Sequence, residues 1–170
     1  MPTEAIDPPG VHWLRVSPKY ITVRIAAWAL GNLIAVAILS LPLILVLNGP
    51  WQALPLWLAA ALPAGMTLLA LWRLLLIPRQ VRAIGYAERE EDLLIRRGIF
   101  FQRVLVVPYG RMQYVDIGAG PVERALGLCS LKLHTASAGT NAEIPGLPAE
   151  EGARLREQLS ARGEARLAGL

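Results

Sequence analysis

From Ile25 through Trp72 the chain carries no charged residue, whereas charged residues recur on either side. A helix needs about 20 apolar residues to cross a bilayer, so a block this long predicts two crossings. Residues 25–47 (IAAWALGNLIAVAILSLPLILVL) supply the first and 53–72 (ALPLWLAAALPAGMTLLALW) the second. The second extends to 77 through LLLIP if Arg73 snorkels to the surface. Turn formers in the intervening NGPWQ favour a helical hairpin over 25–78 rather than one long helix. The first stretch is too long for a signal-peptide core, and another span follows it, so cleavage is not expected.

Beyond Arg79 the pattern shifts to period two. Segments 81–88 (VRAIGYAE), 93–98 (LLIRRG), 100–109 (FFQRVLVVPY), 112–118 (MQYVDIG), 131–135 (LKLHT) and 142–146 (AEIPG) are short, alternating and bounded by Gly, Pro or acidic turns. Strands of that kind predict an antiparallel sheet or barrel. The tail predicts a helix over 148–162, with Pro148 first, Glu150 and Glu151 in the opening turn and Gly163 as the stop. Its apolar stripe, Leu155 and Leu159, is thin and has no aromatic anchor, which favours packing on the sheet over lying on lipid. The expected organisation is an N-terminal segment (1–24), a transmembrane hairpin (25–78) and a water-soluble domain (79–170).

Charge adds orientation. Arg15, Lys19 and Arg24 precede the first span, Arg73, Arg79 and Arg82 follow the second, and the connecting loop has no Lys or Arg. The positive-inside rule then puts both termini in the cytoplasm, with Trp28 and Trp72 near the inner interface and Trp51 near the outer. Arg73, Arg79 and Arg82 have two readings: topology signals only, or contacts to anionic lipid headgroups. Small residues recur at helical spacing as Ala27, Gly31 and Ala35, as Ala60 with Ala64, and as Ala61 with Gly65. They are helix-packing candidates, within the hairpin or against another membrane subunit. Asn32 is the strongly polar side chain in mid-span and no ionisable group lies deep, so a transport pathway is not supported.

The chemistry searched for is not found. One cysteine, Cys129, excludes an intramolecular disulfide, and its apolar setting reads as a buried structural thiol. His12 and His134 are too far apart in sequence to suggest a metal site. No nucleophile elbow, metalloprotease helix, P-loop or dinucleotide fingerprint occurs, and the GAG at 118–120 runs into Pro121 without a third glycine. Arg111, Asp116, Glu123 and Arg124 read as solvated or locally paired. The net charge of +4 is spread among acids and Lys is nearly absent, unlike a nucleic-acid-binding face. No enzyme, cofactor, metal or small-molecule substrate is expected.

Two N-terminal spans followed by RRGIF, VVPYGRMQYVD, GPVERALGL and IPGLP resemble the YdbS-like membrane proteins that carry a bacterial PH domain. The resemblance implies an α+β membrane protein whose PH-like antiparallel barrel or sheet is closed by a C-terminal helix. It also implies attachment to the inner face of the bacterial plasma membrane, often beside a larger membrane protein with several such domains. A full PH-like barrel has seven strands against the six read above, so one is hidden in ALGLCSLKL or lost. Gly118 and Gly120 would then supply positive φ for a sharp turn, with PVERALG as a short crossover. Two functions fit: an interaction module with membrane lipid around it and a membrane-protein partner or a second copy, or recognition of anionic headgroups.

Overall fold

A computed structural model describes residues 10–49, 54–135 and 142–167. Trp51 lies outside them. The hairpin and the soluble domain form separate compact units, Arg24–Pro78 and the chain on either side of it.

The first span is helix α1 (Tyr20–Leu39) followed by α2 (Leu41–Leu47), a stretch of 28 residues with Ser40 between them. Pro42 has no N–H to give the carbonyl four residues back, and the helix is interrupted next to it at Ser40. The path is kept because the Ser40 N–H donates to the Val36 carbonyl (2.9 Å) and the Ile44 N–H to that of Ser40 (3.0 Å). Helix α3 (Leu56–Arg82) supplies the second span in 27 residues. It continues past Pro78, the Ala83 N–H still reaching the Arg79 carbonyl at 3.1 Å. Residues 81–84 are thus not the start of a strand, contrary to the period-two reading of VRAIGYAE.

The soluble unit holds two open antiparallel sheets. Strands β1 (Leu14–Arg15), β2 (Gly85–Glu88), β3 (Asp92–Arg97) and β4 (Arg103–Pro108) form the first in that order. Strands β5 (Met112–Gly118), β6 (Leu128–Thr135) and β7 (Ala142–Pro148) form the second. A short helix α4 (Pro121–Ala125) joins β5 to β6, and α5 (Ala149–Leu167) follows β7 directly and packs across the second sheet.

The seventh strand is therefore neither hidden in ALGLCSLKL nor lost. It is Leu14–Arg15, ahead of the first span, with Leu14 opposite Tyr86 and Arg15 opposite Gly85. Two residues give no periodicity to read, and their partner is a whole hairpin away in sequence. Nearby, the Ser17 N–H donates to the Gly146 carbonyl (2.9 Å), which ties the same segment to β7.

Two further expectations change. Gly118 and Gly120 do not have positive φ, and Gly120 is extended (φ −68°, ψ 169°). Among the described residues the left-handed glycines are Gly10, Gly49, Gly98, Gly127 and Gly146. Nor does α5 stop at Gly163, since the helix continues to Leu167. Leu155 and Leu159 are wholly buried, joining Leu93, Val107, Tyr109, Leu131, Leu133, Ile144 and Leu147 in the core. Burial of such a side chain contributes about 1.5–3 kcal/mol, enough to seat α5 on the sheet without lipid.

Candidate interaction surfaces

Most polar groups that resemble site residues have structural employment. The Glu123 carboxylate accepts the Gly120 N–H at the start of α4 and the Ser130 hydroxyl, both at 2.8 Å. One glutamate thus fixes the α4 crossover to β6. The Cys129 thiol is buried where Gly152 brings α5 close to β6, and a side chain at Gly152 would collide with its sulfur. Burial pushes this thiol's pKa up, with the Glu123 carboxylate adding to the effect. That is the opposite of an activated nucleophile.

Two arginines lock α5 to the first sheet. The Arg154 guanidinium donates to Glu88 of β2 (2.7 Å) and to Gln158 (2.6 Å), and it also pairs with Glu151. The Tyr86 hydroxyl donates to Glu151 at 2.8 Å. The Arg154 hydrogen bond holds the Glu151 carboxyl below its ordinary range, while burial and the bond to Glu151 push Tyr86 up. Farther along α5, Arg162 donates to the Tyr109 hydroxyl (3.0 Å) and to the Arg89 carbonyl (3.1 Å).

A different arrangement occupies the turn between β3 and β4. Phe100 and Phe101 are 78% and 85% exposed, although FFQRVLVVPY had suggested that both begin a strand. Gly98 shapes this tip: its φ is +102° and a side chain there would strike the Phe101 carbonyl. At the base of the turn Arg97 and Arg103 stand directly opposite each other in the ladder. Both are exposed, and neither guanidinium has an ion pair or hydrogen bond to another described residue. They line an open groove of about 480 Å³ with Leu105, Ala142 and Glu143. The sequence carries a faint signal for this turn. In an alternating strand adjacent phenylalanines point to opposite faces, and a preceding glycine marks a turn.

The folded domain, its two preceding spans and the terminal helix can be set against known proteins. A family model described as "Bacterial PH domain" matches residues 20–163. This chain belongs to the bacterial PH domain family. The UPF0699 transmembrane protein YdbS of Bacillus subtilis (strain 168) is 31% identical over 160 residues, spanning 94% of this chain and 91% of that protein. No solved structure matches the chain. The resemblance read from RRGIF, VVPYGRMQYVD and IPGLP is thereby shown, and with it a membrane protein bearing a bacterial PH domain. The family match begins at Tyr20, after β1, so the strand that completes the first sheet of this bacterial PH domain lies outside it.

In the spans of this bacterial PH domain protein, three polar side chains bond to their own helices. Asn32 donates to the Trp28 carbonyl (2.8 Å), Ser40 to Val36 (2.7 Å) and Thr67 to Pro63 (2.8 Å). Each is a four-residue back-bond. Ala27, Gly31, Ala61, Ala64 and Gly65 are exposed, and Ala35 and Ala60 half-buried. A side chain added at Gly31 or Gly65 would meet nothing. The second span is most buried at Ala59, Ala70 and Ile77, which share one face of α3. Arg73, Arg79 and Arg82 are exposed on α3. At about 100° per residue, Arg79 and Arg82 neighbour each other and Arg73 lies on the far side.

Proposed function

We propose that this chain is a non-enzymatic interaction module, held by its hairpin at the cytoplasmic face of the bacterial plasma membrane and acting with a partner membrane protein. The observation that carries this reading is the pairing of β1 with β2 across the whole hairpin. Strands from both sides of the hairpin in one sheet support a domain tethered to the spans by two chain segments rather than one. The same pairing supports an even number of crossings between Arg15 and Gly85. The arginine and lysine bias of the flanks then supports the cytoplasmic side. Tethering of this kind raises the effective concentration of the domain near other membrane proteins.

Two surfaces suit a partner. The exposed Gly31 and Gly65 allow close approach of another helix. In the soluble domain β5 pairs with β6 alone, leaving its other edge open beside a groove of about 210 Å³ bordered by Gln113, Tyr114, Ser160 and Gly163. An extended segment can add to such an edge. Mild solubilisation of native membranes should retrieve a partner in near-stoichiometric amount, and Gly31→Leu should reduce its yield. A clean monomer at native expression would sink the proposal.

A second reading is recognition of anionic headgroups by Arg73, Arg79 and Arg82. It is favoured by their exposure without a partner among the described residues. Each such cation gains about 1 kcal/mol at an anionic surface. Mass spectrometry of lipids retained in native nanodiscs should show less anionic lipid around the R73Q/R79Q/R82Q variant. An unchanged lipid profile would leave these arginines as topology signals.

A further inference from the structure

We infer that the β3–β4 turn is a third membrane contact, placing Phe100 and Phe101 in the headgroup region of the bilayer and Arg97 and Arg103 on its anionic lipid phosphates. The inference rests on the chain being anchored by its spans and assigns a site outside them.

Three observations converge on this turn. The first is its place in the topology. Gly85, three residues past the end of α3, pairs with both Arg15 and Arg96. The tip at 98–102 therefore lies at the end of the sheet where the chain leaves for α1 and returns from α3. With a rise of about 3.3 Å per residue, the tip is only about 10–15 Å further along the ladder than Gly85. The second is composition. Two adjacent phenylalanines, nearly fully exposed on a turn whose shape Gly98 imposes, are costly in water and suited to an interface where apolar side chains sink just below the headgroups.

The third is charge. Like charges directly opposite in an antiparallel pair weaken it, yet Arg97 faces Arg103, and Glu143 of β7, which lines the same groove, forms no ion pair with either. An anionic surface turns that repulsion into a paired cation site. The opposite end of the same sheet has the reverse sign, the β2–β3 turn carrying Glu90, Glu91 and Asp92. At that opposite turn Arg89 pairs with Asp92 (3.3 Å), which leaves Glu90 and Glu91 as its acidic excess. The end joined to the spans carries Arg97, Arg103 and the two phenylalanines, the polarity that a negatively charged leaflet selects. A soluble protein partner would not require the tip to share its end of the sheet with the chain's path to the spans.

Full-length protein carrying an environment-sensitive fluorophore at F101C is reconstituted in nanodiscs of phosphatidylcholine and phosphatidylglycerol, some lipids bearing a nitroxide near the headgroup. The label should show blue-shifted emission and marked quenching. The same label at E90C, on the opposite turn, should emit as in water and remain unquenched. R97Q/R103Q, or discs of phosphatidylcholine alone, should reduce quenching at position 101. Both label positions are exposed, so an unchanged melting curve checks that the fold survives. Water-like, unquenched emission at 101 in discs that retain the protein would overturn the inference and leave the phenylalanines to a protein partner. Quenching unchanged in R97Q/R103Q would overturn the headgroup role of the arginines. Protein that failed to co-purify with discs would instead sink the anchored reading beneath it.

Discussion

The ring of Tyr20, in the first turn of α1, lies so close to Gly146 of β7 that any side chain at position 146 would collide with it. Gly146 is also left-handed, at φ +69°. One position thus combines a backbone that only glycine adopts easily with a contact that only glycine leaves room for. Gly146→Ala should cost about 1–3 kcal/mol from the backbone strain alone. A fall in the melting temperature of the detergent-solubilised protein checks it. Tyr20→Ala in the same background should recover the steric part and leave the strain.

The soluble domain should need the chain before the first span. A fragment of residues 79–170 lacks β1 and the Ser17 bond to β7. A version joining residues 10–18 to 84–170 through a glycine–serine linker restores both. The joined version should unfold at a higher urea concentration, and amide exchange at Gly85 and Tyr86 should be slower in it. Equal midpoints would show that β1 contributes nothing.

Acid should loosen α5 from β2. Glu151 is held ionised by Arg154 and Tyr86, so its folded pKa lies below the unfolded value of about 4.3. A depressed carboxyl contributes stability that is present above the unfolded pKa and is lost as pH falls through the folded one. Glu151→Gln should therefore flatten the dependence of melting temperature on pH below about 5, where wild type declines. Because the Arg154 side chain is 40% exposed and Glu151 28%, solvent screening keeps the contribution of this ion pair to about 1 kcal/mol or less. Tyr86 acts at the other extreme. Its raised pKa contributes stability fully present below about 10 and lost as pH rises further.

Cys129 should resist maleimide in the folded protein and react once the domain is unfolded. Burial and a raised pKa both keep the thiolate scarce. Gly152→Ala pushes a methyl group into the sulfur and should cost about 1–3 kcal/mol by overpacking, measured as a lower urea midpoint. It should also expose the thiol to labelling sooner.

The legible parts of this protein were those whose signal is local and repeated. Forty-eight uncharged positions announce a membrane hairpin in any reading. The alternation of Leu131 and Leu133 with Lys132 marks a half-buried strand just as directly, and Pro148 with two following glutamates marks the start of α5. What escaped depends on distance or on geometry. Leu14 and Arg15 become a strand only because Gly85 and Tyr86 arrive beside them. Apolar Val81 and Ile84 fit a strand pattern, but the helix entering from the membrane carries through to Arg82. Small residues at four-residue spacing were visible, whereas the face of the hairpin they occupy is set by packing that no single helix encodes. The aromatic tip was hidden for a related reason: a β-prone pair such as Phe100 and Phe101 reads as strand until Gly98 is seen to turn the chain.

The split sheet also orders events during synthesis. Leu14 and Arg15 leave the ribosome first, but their partner strand follows only after the entire hairpin has been made. At roughly 5–20 residues per second, the early strand waits some seconds with its edge unpaired. Closure of the domain thus reports on insertion: a nascent chain whose second helix fails to enter the bilayer keeps its two halves on opposite sides and cannot zip the sheet.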